Sequence, residues 1–244
     1  MTVIGVVIPA LNEELNIGTV VDDLNVAGYD LVIVVDNGST DNTAEVASRA
    51  GATVISEPRR GYGQACATGS QAALDAGADV IVYIDGDRSS RPTEIKSLVG
   101  PIEAGSARLV LGSRVLGSVE PGAMSVHQQF GNRLAAWLMR RLYRVEVTDL
   151  GPFRAIDARL YEHLNMSEMT FGWPTEMMVK AANRSVSMVE VPASWDRRAE
   201  GKSKVSGSIK GSLLAGYHIL AVTFRYARPH VAKRGWRGER TEDT

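Results

Sequence analysis

Cysteine is almost absent from this 244-residue chain. Cys66 stands alone, so no disulfide framework holds the fold, and the usage fits a reducing compartment. The lone thiol is expected to behave as a small buried apolar residue. No stretch of about 18 residues is apolar and uncharged throughout, so no membrane-spanning helix is expected. The nearest run, 213–224, is too short. Residues 3–8 enter a strand-like run without a basic segment ahead of a long apolar stretch, so no signal peptide is expected, and a cytoplasmic protein, at most peripheral to a membrane, is. His127, His163, His218 and His230 form neither a His-x-x-x-His nor a Cys/His pair, which argues against zinc. Gly-x-Gly-x-x-Gly and the full Gly-x-x-x-x-Gly-Lys-Ser/Thr pattern are both missing, which weakens a dehydrogenase or a phosphate-loop enzyme. Charge of one sign is also lacking: 27 Lys/Arg face 28 Asp/Glu, a net of −1. Nucleic-acid binding by bulk charge is therefore not expected.

That near-neutral total hides an asymmetry. Residues 197–244 hold 11 basic and 4 acidic side chains, a net of +7, and residues 1–196 hold 16 and 24, a net of −8. A basic segment on an acidic body points to an anionic ligand or surface. With 44% hydrophobic and 23% charged residues, the chain can bury a full core.

The first half alternates strand and helix signals. Short apolar runs at 3–8, 31–35, 53–55, 80–84 and 109–111 read as strands. Helical spacing separates them: Leu15 to Ala27, a segment capped by Asp41 or Asn42, the alanine-rich 63–76, and a helix opened by Pro92. This rhythm predicts an α/β fold with a mostly parallel sheet covered on both faces. Ligands of such sheets bind beyond the C-terminal strand ends. Further on, residues 130–143 have helical spacing, 186–191 alternate as a strand, and 206–226 read as a final helix. The segments 130–143 and 213–224 are amphipathic enough either to pack on the core or to touch a membrane surface. No linker composition divides the chain. One domain over 1–228 is expected, with a basic, disordered tail at 229–244.

Three strand ends carry polar clusters: Pro9-Ala10-Leu11-Asn12-Glu13-Glu14, Asp36-Asn37-Gly38-Ser39-Thr40-Asp41, and Asp85-Gly86-Asp87. Any one could be a plain turn. Three at one edge of a sheet suggest a site. The carboxylates of Asp85 and Asp87, at i and i+2 in an extended segment, can point to one side. Gly86 lets a ligand approach the backbone. Two carboxylates at a pocket mouth repel, and a hard divalent cation such as Mg2+ or Mn2+ relieves this while completing its shell with water and phosphate oxygens. Gly61-Tyr62-Gly63 beside Arg59-Arg60 could bend around a phosphate or be an ordinary loop. Trp173 and Trp195 could stack on a ligand or fill the core.

These clusters resemble the signature of family 2 glycosyltransferases with the GT-A fold. Gly112-Ser113-Arg114, Asp149 with Phe153-Arg154-Ala155, and Arg198-x-x-Gly201-x-Ser203-Lys204 resemble the branch of dolichyl- or polyprenyl-phosphate mannose and glucose synthases. The resemblance covers residues 3–226. It implies a Rossmann-like nucleotide-sugar half over 1–115 and an acceptor half over 116–228. It implies that Pro9, Ala10 and Glu13 line the nucleotide pocket and that Asp36 accepts a hydrogen bond from the base or positions it. Asp85 would face ribose and metal, Asp87 would hold the metal on the diphosphate, and Arg114 would lie near the donor sugar or acceptor phosphate. Arg198, Ser203 and Lys204 would close over the diphosphate from a loop, 197–206, that is mobile until donor binds. Gly151-Pro152 departs from the Ser-Gly pair usual in that branch, so the acceptor side is shaped differently.

The implied reaction is inverting transfer of a hexose from a UDP-glucose-like or GDP-mannose-like donor. A lipid-phosphate acceptor would need no general base, because its second pKa is roughly 6. A soluble hydroxyl acceptor would need one, for which Glu176 and Asp149 are the candidates. A nucleotide-sugar-binding protein without turnover is the alternative of another class. Oligomeric state is left open.

Overall fold

The structure, a computed structural model, describes residues 1–200 and 209–227. Strands and helices alternate as β1 (Ile4–Ala10), α1 (Ile17–Val26), β2 (Leu31–Asp36), α2 (Thr43–Arg49), β3 (Thr53–Ser56), α3 (Tyr62–Asp75) and β4 (Val80–Tyr83). A 3-10 turn at Pro92–Glu94 leads into α4 (Ile95–Glu103). The second half holds β5 (Leu109–Val119), α5 (Val126–Tyr143), β6 (Arg154–Asp157), α6 (Ala158–Leu164), α7 (Trp173–Asn183), β7 (Met188–Trp195) and α8 (Ile209–Arg225).

The strands form one sheet in the order β3-β2-β1-β4-β6-β5-β7. β1 runs parallel to β2 and β4, β2 to β3, and β5 to β7, whereas β6 is antiparallel to both its neighbours. The expected mostly parallel α/β sheet is therefore present. Ala10 lies beside Asp36, and Asp36 beside Ser56. The polar clusters thus end level at one edge.

Alternation along each strand divides the core in two, because successive side chains point to opposite faces. On one face Val7, Ile33, Ile81 and Tyr83 meet Ala65 and Cys66 of α3 and Trp173 and Met177 of α7. On the other, Val6, Ile8, Val34 and Val82 meet Ile17, Val21 and Leu24 of α1 and Ile95 and Leu98 of α4. Cys66 is fully buried, as its composition context suggested, and burial pushes its thiol pKa well up. Trp173 is core: it is fully buried, with its ring edge-on to Tyr83 at 4.7 Å.

Five elements depart from the sequence reading. β5 continues to Val119, well past Leu111, through polar Ser113, Arg114 and Ser118, and pairs β7 across an irregularity between Ser113 and Ser118. β6, α6 and α7 carried no recognised signal. β6 is only four residues long and includes Arg154, which is fully buried. In α5, Ala135, Leu138, Met139 and Tyr143 face the core, whereas Phe130, Leu134 and Trp137 are exposed, so most of the expected apolar spacing faces outward. The helix starts earlier than its apolar spacing suggests because Ser125 and Gln128 form a capping box. No helix among the described residues is long and apolar enough to cross a membrane. The expected tail at 229–244 lies outside the described residues.

Helix α3 rests on the sheet through Gly69. A Cβ there would stand 2.4 Å from Val7 Cγ1 and 2.9 Å from Val35 Cγ2, and both valines are stiff, β-branched and fully buried. Gly69→Ala should destabilise the fold by about 1–3 kcal/mol through overpacking, despite the better helix propensity of alanine. Urea denaturation measures this, and an unchanged midpoint would contradict the close packing.

Candidate active site

The β1–α1 and β2–α2 loops are locked together before any ligand is considered. Asn12 adopts a left-handed conformation (φ 52°), which turns the chain sharply after β1. Its backbone N–H donates to Ser39 Oγ at 2.9 Å, and its Oδ1 accepts from the Thr40 N–H at 2.8 Å. The Glu13 N–H donates to Thr43 Oγ1 at 2.8 Å. Asn37, just after β2, gathers the next loop: its amide donates to the carbonyls of Glu57 (2.9 Å) and Arg59 (2.7 Å), and its Oδ1 accepts from the Gly61 N–H (2.9 Å). Glu57 is buried, and hydrogen bonds from Arg59 and then Thr68 hold its carboxyl at about 2. The Gly61-Tyr62-Gly63 turn is thus tied into the sheet edge. A Cβ at Gly61 would meet Met169 O at 2.3 Å.

Pro9 and Ala10 end β1, and Asp36 ends β2 with its Oδ1 accepting from the Ser39 N–H at 3.2 Å. Asp85 and Asp87 follow β4 directly. Burial first, and then the Asp87 charge, push Asp85 up to about 7, against the opposing pull of Arg114 and Arg198. Asp87 is oriented by Ser89, whose N–H and Oγ lie 3.0 and 2.5 Å from its Oδ1.

Arg198 supplies the positive charge for this group. Its Nη1 donates to both oxygens of Glu13, at 2.7 and 2.6 Å, and its Nη2 lies 3.0 Å from Asp87 Oδ2. Burial works against its charge, but the Glu13 hydrogen bonds and the charges of Asp87, Glu13 and Asp85 outweigh it, so its pKa is raised. Its Nε is buried and has no hydrogen-bond partner. Residues 196–200 are fastened along the site. The Asp196 N–H reaches Ser89 O, and Asn16 exchanges two hydrogen bonds with the Glu200 backbone. The loop expected to move freely before donor binds is therefore held at its start, because three carboxylates need a cation. Ser203 and Lys204 lie outside the described residues.

The site's chemistry fits a divalent ion. No group of three or more ligating side chains is assembled among the described residues. The two neighbouring carboxylates, one with a raised pKa, suit an ion that takes its remaining ligands from diphosphate and water. The orphaned Arg198 Nε and the guanidinium lodged between Glu13 and Asp87 mark a place already shaped for positive charge and for an anion beside it.

Asp149 and Glu176 do not take the expected place of a base. Asp149 is fully buried in a two-pronged pair with Arg114, at 2.7 and 2.6 Å, and its oxygen Oδ2 also accepts from the Arg114 N–H. Burial would raise its pKa, but Arg114 lowers it overall. Glu190, an acid inside an alternating strand, fixes the backbone around it by accepting from the N–H groups of Thr148 and Asp149. Arg114 also lies over the Trp195 ring at 4.9 Å, so Trp195 is engaged by protein rather than open for stacking. Glu176 is fully buried on α7 and accepts from Ser167, the Glu168 N–H and Tyr226, with Lys180 at 2.9 Å. Burial favours a raised pKa, but these donors outweigh it and hold the carboxyl at about 2. Its partners are none of the residues around Asp87. It anchors α7 and α8 instead.

Sequence reasoning passed over Asn16, Ser89, Glu57 and Glu190. Asn16 had a readable signal, a polar residue just ahead of a helix, and Glu190 had another, a single acid between valines in a strand. Ser89 and Glu57 had none, since their partners are defined only by the packed loops.

The family model described as "Glycosyl transferase family 2" matches residues 5–164. An uncharacterized glycosyltransferase of Mycobacterium tuberculosis is 39% identical over 212 residues, covering 86% of this chain and 93% of its own. Polyprenol monophosphomannose synthase of Mycolicibacterium smegmatis is 30% identical over 228 residues, covering 83% and 81%. A crystal structure of glucosyl-3-phosphoglycerate synthase from Mycobacterium tuberculosis, in complex with Mn2+, UDP and phosphoglyceric acid, superposes with a TM-score of 0.75 at 24% identity, over 95% of this chain and 80% of that one. This likeness shows the shared fold.

Glu176 carries a pH prediction. Its pKa is depressed from an ordinary 4.5 to about 2, so its stabilisation is complete above the unfolded value and is lost as pH falls from about 4.5 toward 2. Glu176→Gln should destabilise the protein at pH 7 by roughly 3 kcal/mol, leaving Lys180 unpaired, and should flatten the loss of stability in that acid window. Denaturation midpoints at pH 7, 5 and 3.5 measure both effects. Parallel curves for the two proteins would exclude the anchoring role.

Proposed function

The chain belongs to glycosyltransferase family 2, and from that premise we propose that it is a metal-dependent, inverting hexosyltransferase using a nucleotide-sugar donor and a polyprenyl-phosphate-type acceptor. The convergence of Glu13, Asp85, Asp87 and Arg198 at the C-terminal edge of β1 and β4 carries this reading. Pro9, Ala10, Glu13 and Asp36 would line the nucleoside site, and UDP-glucose-like and GDP-mannose-like donors both fit that set. Asp85 and Asp87 would hold Mg2+ or Mn2+, which when bound offsets the charge that builds on the departing diphosphate. Arg198 would move from the carboxylates to the diphosphate oxygens, a charge-assisted contact suited to a leaving group. Ser203 and Lys204 would join it there.

The acceptor oxygen forms a bond to the anomeric carbon as the carbon–oxygen bond to the diphosphate breaks, and the electron pair leaves with the nucleoside diphosphate. A phosphate acceptor is largely dianionic at neutral pH and has no proton to lose. That favours it here over a soluble hydroxyl, because Asp149 and Glu176 are both buried, saturated with donors and of lowered pKa. The relative named polyprenol monophosphomannose synthase supports the same choice. Such an enzyme would work on the cytoplasmic side, touching the membrane at its periphery.

Thermal melting against UDP- and GDP-sugars, with and without Mn2+, tests the donor site. A donor at 100 times its Kd should stabilise by about 2.7 kcal/mol, only with metal, and Asp87→Ala should abolish the shift. No shift with any sugar nucleotide would overturn the reading. Donor binding without transfer or hydrolysis would leave a binding protein in its place. Arg198→Met should lower kcat about 100-fold and, measured without donor, should tighten Mn2+ binding, because the guanidinium no longer competes for Asp87. Unchanged Mn2+ affinity would contradict that competition.

A further inference from the structure

Arg154 opens β6 with its side chain fully buried. It pairs with Tyr83 of β4 and Leu111 of β5, so it shares the sheet face that α3 and α7 cover. Among the described residues it makes no salt bridge. Its Nη1 donates to Pro174 O at 2.8 Å, in the first turn of α7, and its Nη2 donates to Gly151 O. Its Nε is buried without a partner. Burial pulls its pKa down to about 10, which still leaves it charged at neutral pH. A buried charge without an opposite charge beside it is costly. A methionine of similar volume would fill the same space without that cost. What the arginine adds is a fork of donors that joins two carbonyls from separate segments.

One of those carbonyls belongs to the turn that carries Asp149. The turn has few locks of its own, because Pro152 offers no N–H. It is held from outside instead. Glu190 accepts from the Asp149 N–H at 2.9 Å, and Asn132 Oδ1 from the Leu150 N–H at 3.0 Å. Arg154 holds the next residue by its carbonyl. Gly151 lies directly on the Arg114–Asp149 pair. A Cβ there would stand 3.3 Å from Gly112 O, 3.4 Å from Arg114 Nε and 3.5 Å from Asp149 Oδ2. A shift of the Gly151 carbonyl therefore shifts the surface on which Arg114 rests. The charge of Arg114 in turn acts on Asp85 at the acid edge. The other end of the fork is a firm abutment, since α7 begins at Trp173, which is fully buried against Tyr83. A continuous line of contacts thus runs from α7 through Arg154 and Gly151 to Arg114.

We infer that Arg154 is a positioning residue for transfer: its buried guanidinium clamps the Gly151-Pro152 turn to α7 and so keeps Arg114 in place beside the acid edge. The inference rests on the hexosyltransferase reading above and adds to it a residue that never touches substrate. The donor site on β1, β2 and β4 does not depend on this clamp, because its loops are held by Asn12, Asn37 and Thr43. Loss of Arg154 should therefore affect the chemical step and spare donor binding.

The test combines kinetics with hydrogen exchange on the full chain. Transfer is assayed from UDP-glucose and GDP-mannose to polyprenyl monophosphate, with hydrolysis of the same donors as a second readout. Arg154→Met should lower kcat about 10- to 100-fold, the range for a charge-assisted hydrogen bond. Donor KM and the Mn2+-dependent melting shift should stay unchanged, the mark of an interaction that matters in the transition state. Arg154→Lys should recover part of the loss, since an ammonium can still serve one carbonyl. Gly151→Ala, which presses on Arg114 from the same turn, should lower kcat in the same way. The double variant Arg154→Met/Gly151→Ala should fall little below Arg154→Met alone, because both act through one contact. Amide exchange in Arg154→Met should rise in residues 112–116 and 148–153 and stay native in 4–10 and 31–36. If Arg154→Met does not fold, Arg154→Lys and Gly151→Ala carry the same readouts. Unchanged kcat, losses that multiply in the double variant, or exchange raised throughout the chain with loss of the melting shift would overturn the inference. No turnover in the native protein would overturn it together with the hexosyltransferase reading, whereas native turnover with any of those three results overturns the positioning role alone.

Discussion

Electrostatic crowding at one edge of the sheet organises this molecule. Glu13, Asp85 and Asp87 end up together because β1 and β4 are neighbours and run in the same direction. Three carboxylates in a half-buried space repel strongly unless a cation joins them. Arg198 joins them, and in doing so it ties the segment after β7 to the loops after β1 and β4. The sheet order makes that tie necessary. β7 stands at the far end of the sheet from β2 and β3, so the chain leaving β7 has to return across the edge to reach Glu13.

The supporting shell is built mainly from short polar side chains. Asn12, Asn16, Asn37, Ser39 and Thr43 each satisfy backbone groups from a different loop, and Ser89 orients the Asp87 carboxylate. Hydrogen bonds of this kind contribute modestly one by one, but leaving a buried partner unmade is expensive. The network therefore specifies loop geometry more than it adds stability. The large apolar residues sit below it in two separate clusters, one on each sheet face, and leave the edge to polar chemistry.

The acceptor half follows another logic. Its carboxylates, Asp149, Glu176 and Glu190, are each consumed by neighbouring donors. They position β5, α7 and the turn before β6. What is left uncompensated there is positive charge and exposed apolar surface on α5. An acid edge thus stands next to a cavity whose lining includes Arg114, Arg133 and Arg140.

Local pattern was enough to read the first half of the chain. Continuous apolar strands, helical spacing and capping residues placed β1 to β4 and α1 to α4, and the Asp/Asn/Gly clusters at strand ends marked the edge, because those signals depend only on near neighbours in sequence. Tertiary structure decided the rest. β6 is four residues long and carries a buried arginine, which no periodicity reveals, and its antiparallel insertion between β4 and β5 is a matter of topology. The roles of Asp149 and Glu176 also depended on partners distant in sequence: Arg114 lies 35 residues from one, and Tyr226 50 from the other. An isolated carboxylate in a sequence looks like a candidate base; whether its lone pairs are already occupied is settled only by what the fold packs against it.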